Sequence, residues 1–335
     1  MTDTAANNTA APNYVLAHHP VRDMLTGSVA SITFTFIAVL AVGLLWVGPK
    51  FVSFGNISII GSFLIVPLVV GAFAGFALLS GVVDLSIGSM VGFSSSLFAL
   101  LLTLGWDPAF AAPVTLAVCL CFGAINAVAI VGFGAEAIAA TLGMLVALRG
   151  ISWVLLGSQG AIFSFNANLF ALINQPVFGL PLFFLLAIVL TIIAAIIVSK
   201  TRLGRHVQAV GGDDRAASRA GISVRRVRVT ALLLSAFGGS LGGIIYAGQL
   251  GSAARATGVG LEFQVYAALM IGGYSILRGG VGNPIGGALG LLAVAGVANI
   301  LDLKAISPYF VNIIVGLLLL AAVLLDRFRG GDAYE

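Results

Sequence analysis

Long apolar runs, broken by short clusters of Gly, Pro, Asn, Asp and Arg, recur along almost the whole chain. Each is close to the ~20 residues that an α-helix needs to cross a bilayer. They predict ten spans, at residues 30–47, 57–79, 87–104, 109–131, 138–156, 181–199, 229–250, 261–277, 285–301 and 308–325. Pro67, Gly71 and Gly75 predict a kink or close helix packing in the second span. The abundance of Gly and Ala in several others suits helices packed in lipid, where no water drives apolar association. Residues 157–180 read as a longer external stretch rich in Asn, Phe and Gly.

One polar island interrupts this pattern. The stretch 201–228, TRLGRHVQAVGGDDRAASRAGISVRRVR, carries seven Arg and follows Lys200. Lys and Arg accumulate in cytoplasmic loops, so the island is expected on the cytoplasmic face, and that sets the orientation of every span. Both chain ends then fall inside, with twelve of the sixteen Lys and Arg on that side, Lys50, Arg255 and Lys304 outside, and Arg149 within a span. Gly211 and Gly212 separate two short helices. Asp213 is placed to cap the second, Asp214 lies in its first turn, Arg219 near its end, and Gly221 stops it. Ala216, Ala217 and Ala220 give that helix a smooth face. A solvated positive-inside loop accounts for the charge; the two caps go beyond it and suit a docking element for a cytoplasmic partner.

Composition narrows the class. The chain has 335 residues, 60% of them hydrophobic and 8% charged, with mean hydropathy +1.13. That is too little polar surface for a soluble globule of this size. The fold class read from the sequence is an all-α polytopic membrane protein of about ten transmembrane helices, with cytoplasmic termini and a possible internal repeat. A tail at 1–28, a transmembrane domain at 29–326 containing the loop 200–228, and a tail at 327–335 divide the chain. The net charge of +4 follows from bilayer orientation, so no nucleic-acid partner is implied. Cys119 and Cys121 lie in one apolar span and read as small hydrophobes, with no metal or disulfide implied.

Few residues carry chemistry. Asp84, in SGVVDLSIGS between the second and third spans, is expensive near hydrocarbon unless it reaches water, a partner or helix N-termini. It reads either as an interfacial cap of the third helix, using Ser86 or nearby amides, or as part of a gate, with Gly81 and Gly88 letting the backbone bend. Arg149 sits about four turns into its span and reads as a buried brace, with Asp84 as one partner. A neutral polar substrate calls for amides, hydroxyls and aromatic rings, which Asn126, Gln249, Gln264, Tyr266, Tyr274, Asn299 and Asn312 can provide, although each also suits an interhelical hydrogen bond. The Gly-rich joins SGVVDLSIGS and GGYSILRGGVGNPIGG echo one another, as matched breaks in transporter repeats do. No phosphate-binding G-x-x-x-x-G-K-[ST], H-E-x-x-H or C-x-x-C occurs, so the chain is not expected to be an enzyme, and any ATP hydrolysis belongs to another subunit.

SGVVDLSIGSMVGF, ATLGMLVALRGI, TRLGRHVQAVGGDDRAASRAGI and GLEFQVYAALMIGGYSILRGGVGNPIGGALG together resemble the permease subunits of ribose- and xylose-type sugar ABC importers, in register over residues 48–326. The chain departs from that pattern at Tyr274, where a small hydroxyl residue is common, and at Gly287, where Thr is frequent. The resemblance implies a permease dimer, with a second copy or a paralogue, in the bacterial inner membrane. It also implies an ATP-binding-cassette ATPase holding ATP and Mg, and a periplasmic or lipid-anchored sugar-binding protein. Arg205, Gly211, Gly212, Asp213, Asp214, Ala216, Ala217, Arg219 and Gly221 would form the ATPase-coupling element, and no cofactor would bind this chain. Asp84, Ser86, Gly88, Asn126, Arg149, Tyr274 and Asn299 are the expected path or gate. An autonomous secondary transporter or channel is the rival, since it too would have Gly-rich breaks and buried charges.

Overall fold

The computed structural model describes residues 28–307 and 309–330. The tail read at 1–28, apart from Ser28, and residues 331–335 of the second tail lie outside the described residues. Helices α1 (Ser28–Trp46), α2 (Phe54–Leu79), α3 (Ile87–Thr103), α4 (Pro108–Ala127), α5 (Ala137–Leu156), α6 (Ala167–Asn174) and α7 (Leu182–Lys200) form the first part. Then come α8 (Arg202–Gly212), α9 (Asp214–Arg219), α10 (Val224–Leu250), α11 (Leu261–Ile271), α12 (Pro284–Leu303) and α13 (Tyr309–Gly330).

Among the described residues, six helices are long and apolar enough to cross a membrane: α2, α4 with its extension to Gly132, α5, α7, α10 and α12. Four shorter apolar helices, Thr33–Trp46, Ile87–Thr103, Leu261–Ile271 and Tyr309–Ala321, accompany them. Helix α10 lies at the centre, packed against α2, α3 and α4, while α11 and α12 pack on each other and α12 on α2. Helices α2, α10 and α12 are mostly enclosed, whereas α4, α5 and α7 turn most of their surface outward. On α7 the outward side chains include Ile188, Ile192 and Ile196, spaced by four. Such a face is stable only in an apolar solvent, and lipid is that solvent.

Side chains set the helix starts. Asp107 accepts from Ala109 N ahead of Pro108, Glu136 from Ile138 N and Ala139 N, and Asn283 from Ile285 N ahead of Pro284. Each satisfies donors that a helix start leaves free. Helix α4 ends in a π-helical turn, Val128–Gly132.

Two expectations are corrected. The eighth span was expected at 261–277, but α11 stops at Ile271. At about 16 Å it covers half the hydrocarbon thickness. Residues 272–283 continue as non-helical backbone, which is tolerated at membrane depth only where protein supplies its hydrogen bonds. Here Asp326 does so: its Oδ2 accepts from Ser275 Oγ at 2.8 Å, Ile276 N at 3.1 Å and Leu277 N at 3.2 Å. The seventh span begins at Val224 rather than 229, so Arg225, Arg226 and Arg228 ride on its first turns. The stretch 157–180 is also structured. Strand Ala161–Phe163 pairs antiparallel with Ser252–Ala254, α6 is a short amphipathic helix, and Pro176–Val177 pairs with Leu180–Pro181.

Candidate functional site

The residues expected to form one path fall into separate groups. The first surrounds Asp84, in the connector 80–86 between α2 and α3, which is 2% exposed. Its Oδ1 accepts from Ser86 N at 3.0 Å and Ser86 Oγ at 2.5 Å, and its Oδ2 from Ser235 Oγ of α10 at 2.7 Å. Asn126 Nδ2 of α4 donates to Ser86 Oγ at 3.1 Å. Tyr266 of α11 clamps the same residue by its backbone, donating to Asp84 O at 2.9 Å and accepting from Asp84 N at 3.0 Å. Asp84 is therefore a buried knot that joins α4, α10 and α11 and uses Ser86 at the start of α3, whose own side chain makes no capping bond there. Ser235 completes a site of which the sequence signalled Asp84, Ser86, Asn126 and, as a hydroxyl or ring donor, Tyr266.

The second group corrects the partner of Arg149. Its Nη2 lies 3.4 Å from Glu262 Oε1, not against Asp84, and the Glu262 side chain is 2% exposed. Glu262 lies in the first turn of α11 against Gly88, where a Cβ would collide with its Oε2 and with Gly258 O. Gly88 is thus a close-approach position that lets a carboxylate reach the α3 backbone.

The third is a cavity of about 390 Å³ between α2, α10, α11 and α12. Its polar lining is Ser62, Tyr246, Gln249, Gln264, Asn299 and, at one end, Asp302. Gln249 Nε2 donates to Ser62 O at 3.1 Å, and Asn299 exchanges amide hydrogen bonds with Asn56 at 2.8 and 2.9 Å. Cavities of this size with an apolar wall and a few neutral hydrogen-bonding groups suit a small polar solute. Of the substrate-contact residues expected from sequence, Gln249, Gln264 and Asn299 line it, while Asn126 and Tyr266 belong to the Asp84 knot and Asn312 lies on α13 outside that lining.

Tyr274 stands apart, 3% exposed, with its ring against Gly75, Gly282 and Gly287. The two departures from the family pattern, Tyr274 and Gly287, are therefore neighbours, and the missing side chain of one makes room for the ring of the other.

The island keeps the expected Asp213 cap, whose Oδ1 accepts from Ala216 N at 2.9 Å, and has a further one in Thr201, which accepts from Gly204 N. Acceptance from Ala216 N and the nearby Arg219 and Arg215 hold the Asp213 carboxyl below its ordinary range. Asp214 Oδ2 pairs with Arg228 Nη2 at 3.1 Å, tying α9 to α10, and Gly221 takes φ +82 where the helix stops. Ala217 faces inward, whereas Arg205, Gly212, Asp213, Ala216 and Arg219 are exposed. Gly211 sits backbone to backbone on both Gly-rich connectors: a Cβ there would collide with Leu79 O and Gly280 N. Those two groups are themselves hydrogen bonded at 2.8 Å. The connectors 80–86 and 272–283, far apart in sequence, thus meet beneath the island.

Comparison with known proteins agrees with this architecture. Residues 57–323 match the family described as branched-chain amino acid transport system / permease component. The ribose import permease protein of Haemophilus influenzae is 31% identical over 85% of this chain and 88% of its own. The autoinducer 2 import system permease protein of Escherichia coli is 32% identical over 86% and 85%. The L-arabinose transport system permease protein of Escherichia coli is 30% identical over 84% and 85%. No solved structure matches. With the match covering most of the described helices, the chain belongs to the branched-chain amino acid transport system / permease component family.

Proposed function

We propose that this permease subunit moves a monosaccharide or related polyol into the bacterial cytoplasm by alternating access, driven by a separate ATP-binding-cassette ATPase that holds ATP and Mg. A periplasmic or lipid-anchored binding protein delivers the solute, and a second permease copy or paralogue completes the path. In this reading ten spans cross the inner membrane, both termini are cytoplasmic, and the island faces the cytoplasm because of its arginines.

The observation that carries the reading is the island itself. A doubly capped pair of helices exposes Arg205, Ala216 and Arg219 outward while its Gly211 presses on the backbone of both connectors. A force applied to such an element reaches the spans, which an autonomous carrier does not require. Relatives named for ribose import and L-arabinose transport, with a lining whose polar groups other than Asp302 are neutral amides and hydroxyls, favour a polyhydroxylated solute.

Proteoliposomes holding the permease, its ATPase and its binding protein test this with radiolabelled ribose and arabinose. Uptake that requires ATP and the ATPase is expected. Uptake by this chain alone under a proton or sodium gradient overturns the reading.

A further inference from the structure

The turn between α4 and α5 meets the start of α10 around another open cavity, of about 500 Å³, distinct from the one described above. Its floor is apolar, made by Val82 of the connector 80–86, Ile130 and Val131 of the π-helical turn, and Ala137 of α5. Two arginines of α10, Arg225 and Arg228, also line it, and no carboxylate among the described residues does.

The two guanidiniums are held differently. Arg228 Nη2 is fixed by Asp214 Oδ2 at 3.1 Å, which leaves other donors of its planar fork to spare. Arg225 is exposed and makes no hydrogen bond or ion pair among the described residues. Its Nη2 stands beside Gly132, 4.0 Å from where a Cβ would lie. Glu136, in the same turn, is committed elsewhere: its two oxygens accept from Ile138 N and Ala139 N. Backbone adds to the positive charge. Ser223 offers no side-chain cap, and Val227 N donates to Ser223 O, so the amides of Val224, Arg225 and Arg226 carry no bond within α10. An uncompensated arginine, a second with donors to spare and a bare helix start therefore converge at one cavity, and a phosphate group is what such a set receives.

The rim of the cavity decides where that phosphate comes from. Val128, Phe133 and Ile138 flank the lining residues and are exposed, Phe133 at 85%, on or between the two helices that turn most of their surface outward. Apolar side chains so exposed at the end of a span lie against lipid. Basic pockets between spans on the cytoplasmic side take the headgroups of anionic lipids. A free phosphate would use the arginines and leave the apolar floor and rim without a partner.

We infer that this cavity binds an anionic phospholipid, with the phosphodiester between Arg225 and Arg228 and the acyl chains along Val128, Phe133 and Ile138. The inference goes beyond the importer reading and takes from it only the placing of the island at the cytoplasmic membrane surface. A lipid seated there touches the α4–α5 turn, the connector that carries Asp84 and the start of α10, and so holds the inner ends of three helices together.

The test uses the full-length permease, purified in detergent and mixed with phosphatidylglycerol, phosphatidylcholine or inorganic phosphate, and reads lipid retention by native mass spectrometry and melting by thermal unfolding. Wild type should retain phosphatidylglycerol in preference to phosphatidylcholine and melt higher with it. Inorganic phosphate should neither displace the lipid nor raise the melting temperature. Arg225→Gln should weaken retention about tenfold, the loss expected for one charge-assisted hydrogen bond. Ala135→Phe, which fills the cavity without changing its charge, should weaken it comparably. Arg226→Gln removes the same charge from the first turn of α10 but outside the lining, and should retain lipid as wild type does. Arg225 and Ala135 are both exposed, so their variants should fold, which monodisperse elution checks; Arg225→Gln against Arg226→Gln is decisive by itself. Equal retention of the two lipids by wild type overturns the site. Equal losses in Arg225→Gln and Arg226→Gln overturn it in favour of a diffuse basic surface, and displacement by inorganic phosphate overturns the lipid as its occupant. None of these results bears on uptake, and gradient-driven transport by the chain alone would overturn the importer reading while leaving this site in place.

Discussion

Arg149 reaches Glu262 across 3.4 Å, joining the middle of α5 to the first turn of α11, with the carboxylate side chain 2% exposed and the guanidinium side chain 26% exposed. A membrane-embedded arginine thus finds a carboxylate on the short helix that bounds the cavity. Removing one partner of an enclosed pair leaves the other charge uncompensated. Glu262→Ala is expected to cost roughly 3 kcal/mol, the low end for such pairs because Arg149 keeps some access to its surroundings. The double variant Arg149→Met/Glu262→Met should recover much of the loss. Thermal unfolding in detergent measures both, and a double variant no better than Glu262→Ala would show that the pair is not coupled.

Asp84 depends on its donors as much as they depend on it. Ser235→Ala removes the only donor to Oδ2 that α10 provides at 2.7 Å, and should lower stability by about 1–3 kcal/mol. Tyr266→Phe removes two bonds to the Asp84 backbone and should lower it comparably. Because both act on one connector, their losses should be less than additive when combined. Denaturation midpoints of the two single variants and the double variant decide it; strict additivity would separate the two clamps.

Adjacent glycines of the island should behave oppositely. At Gly211 a methyl meets Leu79 O and Gly280 N, whereas at Gly212 it meets nothing within 4 Å. Gly211→Ala should therefore destabilise, while Gly212→Ala gains helix propensity of up to about 1 kcal/mol and should leave the melting temperature unchanged or raised. Equal effects at the two positions would remove the backbone junction from consideration.

The Asp213 cap gives the island a pH dependence of definite sign. Its carboxyl is held low by acceptance from Ala216 N, then by the nearby arginines. A depressed folded-state pKa stabilises above the ordinary aspartate range, and that contribution fades as pH falls through the folded value. Hydrogen exchange at the Ala216 amide should therefore be protected at neutral pH, after correction for intrinsic rates, and lose protection toward acid. In Asp213→Asn, which still caps but does not titrate, protection should be flat across that window. An acid-induced loss in Asp213→Asn as large as in wild type would exclude the cap as its origin.

Apolar length and punctuation by Gly, Pro and Arg were enough to determine nearly every long helix and the two caps of the island, because both are local: a span answers to its solvent, and a cap to the next three residues. Family membership was likewise legible in four motifs held in register. Contacts between distant segments were not. Nothing local pairs Arg149 with Glu262 instead of Asp84, since both carboxylates are acidic residues beside apolar spans and only the packing of α5 and α3 against α11 decides between them. In the sequence Asp326 is only the last residue of the transmembrane domain; its role as the acceptor that lets residues 272–283 leave the helical state exists only once α13 lies beside that connector. The glycines of both connectors signalled bends from the outset, but that they meet each other and Gly211 follows from tertiary packing, where the absence of side chains allows three backbones to approach as closely as hydrogen bonding permits.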